Sequence, residues 1–197
     1  MLTSSRNLSA LRVLACVSSL ALFIPSTSHA YEVLEVKDGG AVEGTVTFAG
    51  TPSPPRKLLV TKDPEVCGTG ERVIEDVSVT EGGTLRNVVV YVDGIEHGKD
   101  WNALPSGTRL EQRGCAFLPA IAIVPQGKDL AITNSDPVPH NIHAYEVIGR
   151  ARRSLFNMAQ PQPSTITKAI SPRNAPTVKV ECDLHNFMEW WLFVAQT

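Results

Sequence analysis

The second half of this chain alternates apolar and polar residues with a period of two, which is the pattern of β-strands that bury one face. The clearest segments run over 120–124, 129–134, 141–147, 165–170, 177–182 and 190–194. Turn-rich clusters of proline, glycine and asparagine separate several of them, and apolar residues recur less often at the helical spacings of three and four. We therefore expect an all-β fold without a helix of ordinary length.

The stretch from 31 to 107 shows weaker strand patterns between turn-rich segments. Strands are predicted over 44–50, 56–60, 73–79 and 85–92, the last of which is rich in β-branched residues. Lys62 and Asp63 lie in the loop before Cys67 and are interpreted as solvated turn residues.

Two further segments of the second half are predicted to be loops. Residues 149–153 contain three arginines and are interpreted as a solvated basic loop, with a docking contact for an acidic partner as the alternative. Residues 156–160 lead into a proline-broken loop at 161–163.

Residues 1–30 have the layout of a secretory signal peptide. A basic start precedes an apolar run over 13–24 that is too short to span a bilayer, and small residues precede a cleavage site after Ala30. We expect a periplasmic mature protein that is not inserted in the membrane. Retention of the segment as a membrane anchor is the alternative. Residues 13–16 weakly resemble a lipoprotein box ending in Cys16, but lipidation there is disfavoured because Arg12 directly precedes them.

Composition narrows the class of protein. Cleavage leaves 167 of the 197 residues and an excess of four acidic residues, which argues against a nucleic-acid partner. Of the cysteines, Cys67, Cys115 and Cys182 remain. If a metal binds Cys182, the other two are left to form a disulfide in an oxidising compartment. Two separate buried thiols, or a second metal site at Cys115, are the alternatives.

The segment Cys-Asp-Leu-His-Asn-Phe-Met at 182–188 carries the candidate chemistry. Cys182, His185 and Met188 can converge on one ion if the chain turns back sharply after the cysteine. Sulfur donors suit Cu(I), imidazole suits both oxidation states, and a second imidazole would complete the set of a mononuclear copper site. His140 is the candidate, because a β-sandwich brings distant loops together at one end.

Cys182, His143 and Met158 each have another interpretation. Cys182 taken alone is better explained as a buried, apolar-like thiol. His143 is a less favoured ligand, because side chains three apart on a strand point to opposite faces, and a structural or surface role is expected for it. Met158 is the other thioether left after cleavage, and a packing role is expected for it.

The two ligand segments resemble those of the cupredoxins. N-S-D-P-V-P-H-N-I-H at 134–143 and V-E-C-D-L-H-N-F-M at 180–188 are most similar to the loops of the amicyanin group. The chain also resembles secreted cupredoxin-like proteins labelled as methylamine-utilisation proteins, which carry an extra N-terminal β region. This resemblance implies a Greek-key β-sandwich over 108–197, with an N-terminal β extension over 31–107.

The resemblance also implies a function. A single type 1 copper ion would be held by His140, Cys182, His185 and axial Met188, in a monomeric one-electron carrier that is not an enzyme. Asn141 would tie the two ligand loops together by hydrogen bonding. Electrons would pass to and from transient redox partners through an exposed edge of His185, ringed by apolar side chains: Leu184, Phe187, Pro137 and Pro139.

Two functional alternatives remain. The protein is a copper chaperone or store that passes on the ion, or it is an interaction module of a larger redox assembly. One sequence difference bears on the carrier itself, since amicyanin-like loops have prolines where this chain has Leu184 and Asn186. Each replacement restores a backbone N–H that can reach the Cys182 sulfur, so our hypothesis is a raised reduction potential.

Overall fold

The structure is a computed structural model, and it describes residues 31–101 and 109–195. The predicted signal segment and its cleavage site lie outside the described residues, as does the boundary expected at 107–108. Within the described ranges, no helix combines the length and the apolar character needed to cross a membrane.

Almost all regular structure in these residues is β. The strands are β1 (Glu32–Val33), β2 (Arg56–Leu59), β3 (Glu71–Ile74), β4 (His97–Gly98), β5 (Arg109–Gln112), β6 (Phe117–Leu118), β7 (Ile121–Pro125), β8 (Asp129–Asn134), β9 (His140–Ile148), β10 (Ala151–Gln160), β11 (Ser164–Ala169), β12 (Thr177–Glu181) and β13 (Glu189–Ala195). One short helix, α1 (Pro64–Cys67), lies between β2 and β3.

Two sheets pack into a β-sandwich, which confirms the predicted all-β fold. In the part of the chain described, one sheet has the order β10-β9-β12-β13-β7 and the other the order β11-β8-β5-β6. The pairs β13–β7 and β5–β8 are parallel, and the other neighbours are antiparallel. The chain crosses between the sheets after β6, β7, β8, β10 and β11, and β12 returns beside β9 in the manner of a Greek key.

The core forms where the period-two pattern placed it. Leu130 and Ile132 of one sheet and Val178 and Val180 of the other are at most 2% exposed and belong to one buried cluster. Each residue alternates with more exposed neighbours along its strand. Burial of one face of each sheet against the other is what stabilises the sandwich.

The prediction of a loop over 149–153 was wrong for residues 151–153, and no strand was predicted over 156–160. Ala151–Gln160 is a ten-residue strand at the edge of the five-stranded sheet, paired with β9 along its length apart from a bulge between Ser154 and Phe156. Its first four residues are all exposed, so the alternation that marks a half-buried strand is missing. Charged residues are common on edge strands, because they discourage pairing with other chains.

The stretch 31–101 is less regular than the sequence predicted. The predicted strand 56–60 is confirmed as β2, which pairs with β3, but β3 covers only the start of the segment 73–79. The strands predicted over 44–50 and 85–92 are absent, and there the structure shows only isolated bridges. The valines responsible for the second prediction, Val90 and Val92, are 76% and 73% exposed.

A disulfide joins this irregular stretch to the sandwich. It links Cys67, at the end of α1, to Cys115, in the turn between β5 and β6, with Cα atoms 5.0 Å apart. The Arg72 guanidinium supports the same junction, since it donates to the backbone carbonyls of Cys67 and Gly114. The predicted pairing of these two cysteines is therefore present.

Candidate metal centre

The pairing of β9 with β12 brings the two ligand segments together. His140 is the first residue of β9, and Cys182 directly follows β12. The two strands are neighbours and run antiparallel. The His140 Nδ1 and His185 Nδ1 atoms are 3.1 Å apart, and the Cys182 Sγ lies 3.9 Å and 3.7 Å from them. All three residues are at most 2% exposed.

The segment after Cys182 makes the sharp turn that convergence requires. The His185 N–H donates to the Cys182 carbonyl, and the Met188 N–H donates to the His185 carbonyl. The Cys182 N–H in turn donates to the Met188 carbonyl at 3.2 Å, which closes the loop at its base. Met188 is 2% exposed, and its role as an axial ligand stays a prediction.

Each imidazole is held from behind by a carboxylate. The His140 Nε2 lies 2.9 Å from the Asp136 Oδ2, and the His185 Nε2 lies 2.9 Å from the Asp63 Oδ2. An ionised carboxylate only accepts hydrogen bonds, so each ring carries a proton on Nε2. Carboxylate partners of this kind fix the tautomer and orientation of metal-binding histidines.

Hydrogen bonding keeps the buried Asp136 ionised. Burial raises the pKa of this carboxyl, but hydrogen bonds from the Cys115 N–H, from His140 and from the Gly114 N–H outweigh burial and lower it. The two backbone donors are 2.9 Å and 2.6 Å from the carboxylate oxygens. The negative charge behind His140 is therefore a fixed part of the site.

The pKa shifts of the three donor residues favour a thiolate, a neutral His185 and a positively charged His140 when no ion is bound. Burial lowers the pKa of the His185 imidazole more than Asp63 raises it. Burial raises the pKa of Cys182, but hydrogen bonds from His140 and from the backbone N–H groups of Asn141, Leu184 and His185 lower it overall, which favours the thiolate. For His140, the neighbouring Cys182 and Asp136 raise the pKa despite burial.

The donor atoms fit a single copper ion. With both Nε2 atoms directed to carboxylates, the two Nδ1 atoms and the Cys182 sulfur face one another inside the protein. Despite burial, the thiolate and Asp136 raise the pKa of His140, so this cluster favours a positive charge, which a proton on the His140 Nδ1 supplies when no ion is bound and a metal cation can supply in its place. Atoms bound to one ion through bonds of about 2 Å lie roughly 3–4 Å apart, as these three do. Two imidazoles and a thiolate are a donor set that copper prefers.

Asn141 links the two ligand loops. Its Oδ1 accepts from the Asp183 N–H at 2.7 Å, and its Nδ2 donates to the Asp183 Oδ2 at 2.8 Å and to the Asn157 Oδ1 at 2.7 Å. Because Asp183 directly follows Cys182, these bonds fix the cysteine loop against the start of β9.

His143 lies outside the cluster of donors. Its Nδ1 is 3.1 Å from both Asp183 carboxylate oxygens, its Nε2 is 3.1 Å from the Ser154 hydroxyl, and its ring stacks on Tyr145. This position agrees with the expectation that His140 and His143 point to opposite faces of the strand.

Two expectations about the surroundings of the site were wrong. Asp63 is not a freely solvated turn residue, because its carboxylate contacts the His185 ring and is only 22% exposed. The outer edge of His185 is not exposed either, since its side chain is 0% exposed. Of the predicted apolar ring, Leu184 is 38% exposed, whereas Phe187 is buried at 5%.

Sequence reasoning missed both carboxylates. Asp136 lies four residues before His140 within the quoted motif, so its position carried a usable signal. Asp63 is 122 residues from His185, and the signal available for it was the predicted disulfide at Cys67, which ties its loop to the sandwich.

Comparison with known proteins gives matches among solved structures. No protein-family model matches the chain, and the search of curated proteins gave no match. A purple cupredoxin from Nitrosopumilus maritimus is 18% identical over 45% of this chain and 100% of its own length, with a TM-score of 0.39. An amicyanin variant in its Cu(I) form is 18% identical over 44% of this chain and 80% of its own, with a TM-score of 0.36.

An enzyme is also among the structures that the chain resembles. A copper-containing nitrite reductase from Thermus scotoductus is 14% identical over 55% of this chain, with a TM-score of 0.37. The match spans 25% of the reductase.

Proposed function

We propose that this protein binds one mononuclear copper ion and serves as a one-electron carrier. His140, Cys182 and His185 are the ligands, with Met188 as the weak axial ligand. The observation that supports this proposal most strongly is the buried meeting of two Nδ1 atoms and a thiolate sulfur within 3.9 Å of one another. Copper bound there would supply one-electron chemistry between Cu(I) and Cu(II).

The protein's own part in electron transfer is to hold the ligands still. Asp136 and Asp63 fix the two imidazoles, and Asn141 fixes the cysteine loop. A donor set held in this way changes little in geometry between two oxidation states, which favours fast electron exchange over catalysis.

The same burial favours a carrier over a chaperone or store. Passing an ion to another protein requires ligands that the partner can reach, whereas His140 and His185 are each 1% exposed and Cys182 is 2% exposed. The hydrogen bonds behind both imidazoles would also have to break during release.

The biological setting that we propose follows from the sequence. Residues 1–30 direct the chain to the periplasm, where the Cys67–Cys115 disulfide is stable. The mature protein is a monomer that meets its electron donor and acceptor transiently, through a small interface. Neither nucleic acid nor membrane insertion enters this function.

The first test is the visible spectrum of the mature protein after addition of Cu(II), compared with the Cys182→Ser variant. We expect an intense thiolate-to-copper band that the variant loses, because serine cannot supply the sulfur that gives rise to it. A colourless protein that still binds copper would favour copper handling. A protein that binds no copper would refute the proposal.

A further inference from the structure

We propose that Asp63, which lies outside the copper-ligand loops, is a positioning residue of the metal centre that holds and covers His185. This inference rests on the proposed function, because it concerns a ligand of the proposed copper site. It also assigns a role to the segment 63–72, which would otherwise be interpreted only as a tethered surface loop.

The contact between Asp63 and His185 closes the outer side of the imidazole. The two side chains meet at 2.9 Å through Oδ2 and Nε2, with the histidine side chain 0% exposed and the carboxylate 22% exposed. The carboxylate therefore lies between the ring and solvent. It also fixes the proton on Nε2, which directs the Nδ1 lone pair towards the cysteine sulfur.

The backbone around Asp63 is built to present this carboxylate. Asp63 has φ 49° and ψ 47°, the left-handed conformation that aspartate and asparagine tolerate better than most residues. Its carbonyl accepts from the Val66 and Cys67 N–H groups at 3.0 Å and 2.8 Å. The disulfide at Cys67 then fixes the short helix that follows.

The two carboxylates of the site share one support. Gly114 and Cys115 donate their N–H groups to Asp136 behind His140, while the Cys115 sulfur bonds to Cys67 at the end of the helix that Asp63 precedes. The sulfurs of both cysteines lie within 4.8 Å of a ring nitrogen of His185. One junction thus positions the groups behind both imidazoles.

The negative charge of Asp63 has a definite effect on a metal ligand. A carboxylate that accepts from Nε2–H increases the electron density of the imidazole and makes it a stronger donor, which stabilises the more highly charged ion. Loss of this charge should weaken Cu(II) binding more than Cu(I) binding and should therefore raise the reduction potential.

The test compares Asp63→Asn with Glu65→Gln. Asparagine suits the left-handed backbone and retains an oxygen that can accept from His185, so it removes the charge with little other change. Glu65 is an exposed carboxylate two residues further on, and its variant loses the same charge away from the ring. Asp63→Gly, which also suits the backbone, removes the contact altogether.

The measurements are the affinities for Cu(II) and Cu(I), the reduction potential and, in the copper-free protein, the ¹⁵N signals of the His185 ring. We expect both Asp63 variants to lose roughly 10–100-fold in Cu(II) affinity with a raised potential, and Asp63→Gly to shift the Nε2 signal. The Glu65→Gln variant should match the wild type in both copper affinities, in the reduction potential and in the ring signals.

The outcomes separate this inference from the proposed function. If the wild type develops the thiolate-to-copper band and Asp63→Asn has the same affinities and potential as Glu65→Gln, the role of Asp63 is refuted and the copper site stands. If the wild type develops no band, the proposed function fails. In that case the ¹⁵N signals of the copper-free protein still test whether Asp63 orients the His185 ring. An unchanged Nε2 signal in Asp63→Gly would refute this orienting role.

Discussion

At the scale of single residues, the backbone amides around Cys182 set the electronic environment of the sulfur. Burial raises the pKa of the Cys182 thiol, but His140 and the backbone N–H groups of Asn141, Leu184 and His185 lower it, so a negative charge on the sulfur is stabilised within a buried site. The Leu184 N–H is the donor that a proline at this position, as in amicyanin-like loops, would not supply. The structure thus gives the sequence-based hypothesis a specific atom.

Leu184→Pro should lower the reduction potential. Removal of one N–H donor leaves more electron density on the sulfur, which then donates more strongly to Cu(II) and stabilises it. Protein-film voltammetry of the copper-loaded variant measures the change. Leu184→Ala is the control, since it shortens the same partly exposed side chain and keeps the N–H. Equal potentials for the two variants would contradict the hypothesis.

The residues of the site differ in how visible they were in the sequence. His140, Cys182 and His185 lie in two short motifs, where spacing and donor chemistry are local information, and the structure brings them together. Asp63 acts across 122 residues, and an aspartate before a proline usually marks a solvated turn. Its contact with His185 depends on packing that no local pattern encodes.

At the scale of elements, a buried carboxylate on β9 fixes β10, the strand that sequence reasoning missed. Glu146 of β9 has a side chain that is 0% exposed, and it pairs with Arg153 of β10. Its carboxylate also accepts the backbone N–H groups of Arg173, Asn174 and Ala175, in the turn before β12. One side chain therefore holds the edge strand β10 and the turn against β9.

Glu146→Gln should destabilise the fold by about 2–3 kcal/mol at neutral pH, because several buried donors lose an ionised acceptor. Burial raises the pKa of Glu146, but the hydrogen bonds from Asn174, Arg153 and Ala175 outweigh it and lower the pKa from its ordinary 4.5 to about 2. The stabilisation is therefore complete above pH 4.5 and declines as pH falls towards 2.

Chemical denaturation at a series of pH values tests this prediction. The difference between wild type and variant should shrink as pH decreases from 4.5, if both remain folded there. Glu181→Gln is a suitable control, since Glu181 has a 25% exposed side chain in ion pairs with Arg152 and Lys179 and should cost less than about 1 kcal/mol. Equal costs for the two variants would show that Glu146 has no special role.

The elements were predictable where burial follows a period of two. β8 and β12 satisfy that condition, and their limits match the prediction to within one residue. β10 was missed because an edge strand with exposed arginines has no alternation to detect. Around Val90 a strand was predicted where none forms, and this valine is exposed. β propensity produces a strand only where a neighbouring strand pairs with the segment.

At the scale of the whole molecule, the stretch 31–101 contacts the sandwich at several places, including a ring contact between Tyr91 and Phe193 with centroids 4.6 Å apart. Two others are a covalent junction and a surface ion pair. The first is the junction at Cys67 and Cys115, beside the proposed metal centre. The second is an ion pair at 2.6 Å between Arg56 of β2 and Glu189 of β13, in which Arg56 also contacts Asp76. The first contact bears on function, because α1 follows the aspartate that covers His185.

Replacement of both Cys67 and Cys115 by serine should therefore affect stability and copper binding together. Opening a covalent loop with a sequence separation of 48 costs about 4 kcal/mol, which in a chain of this size lowers the Tm by roughly 8–16 °C. Copper affinity should fall roughly 10-fold, since Asp63 and the Cys115 N–H behind Asp136 are no longer held in place. Calorimetry measures the Tm, and competitive titration measures the copper affinity. Arg56→Gln is the control, since it weakens the ion pair with Glu189 and leaves the disulfide intact. If the double variant unfolds at a lower temperature but keeps the wild-type copper affinity, the stretch 31–101 does not contribute to the metal centre. If both the Tm and the copper affinity fall, this stretch is part of the metal centre.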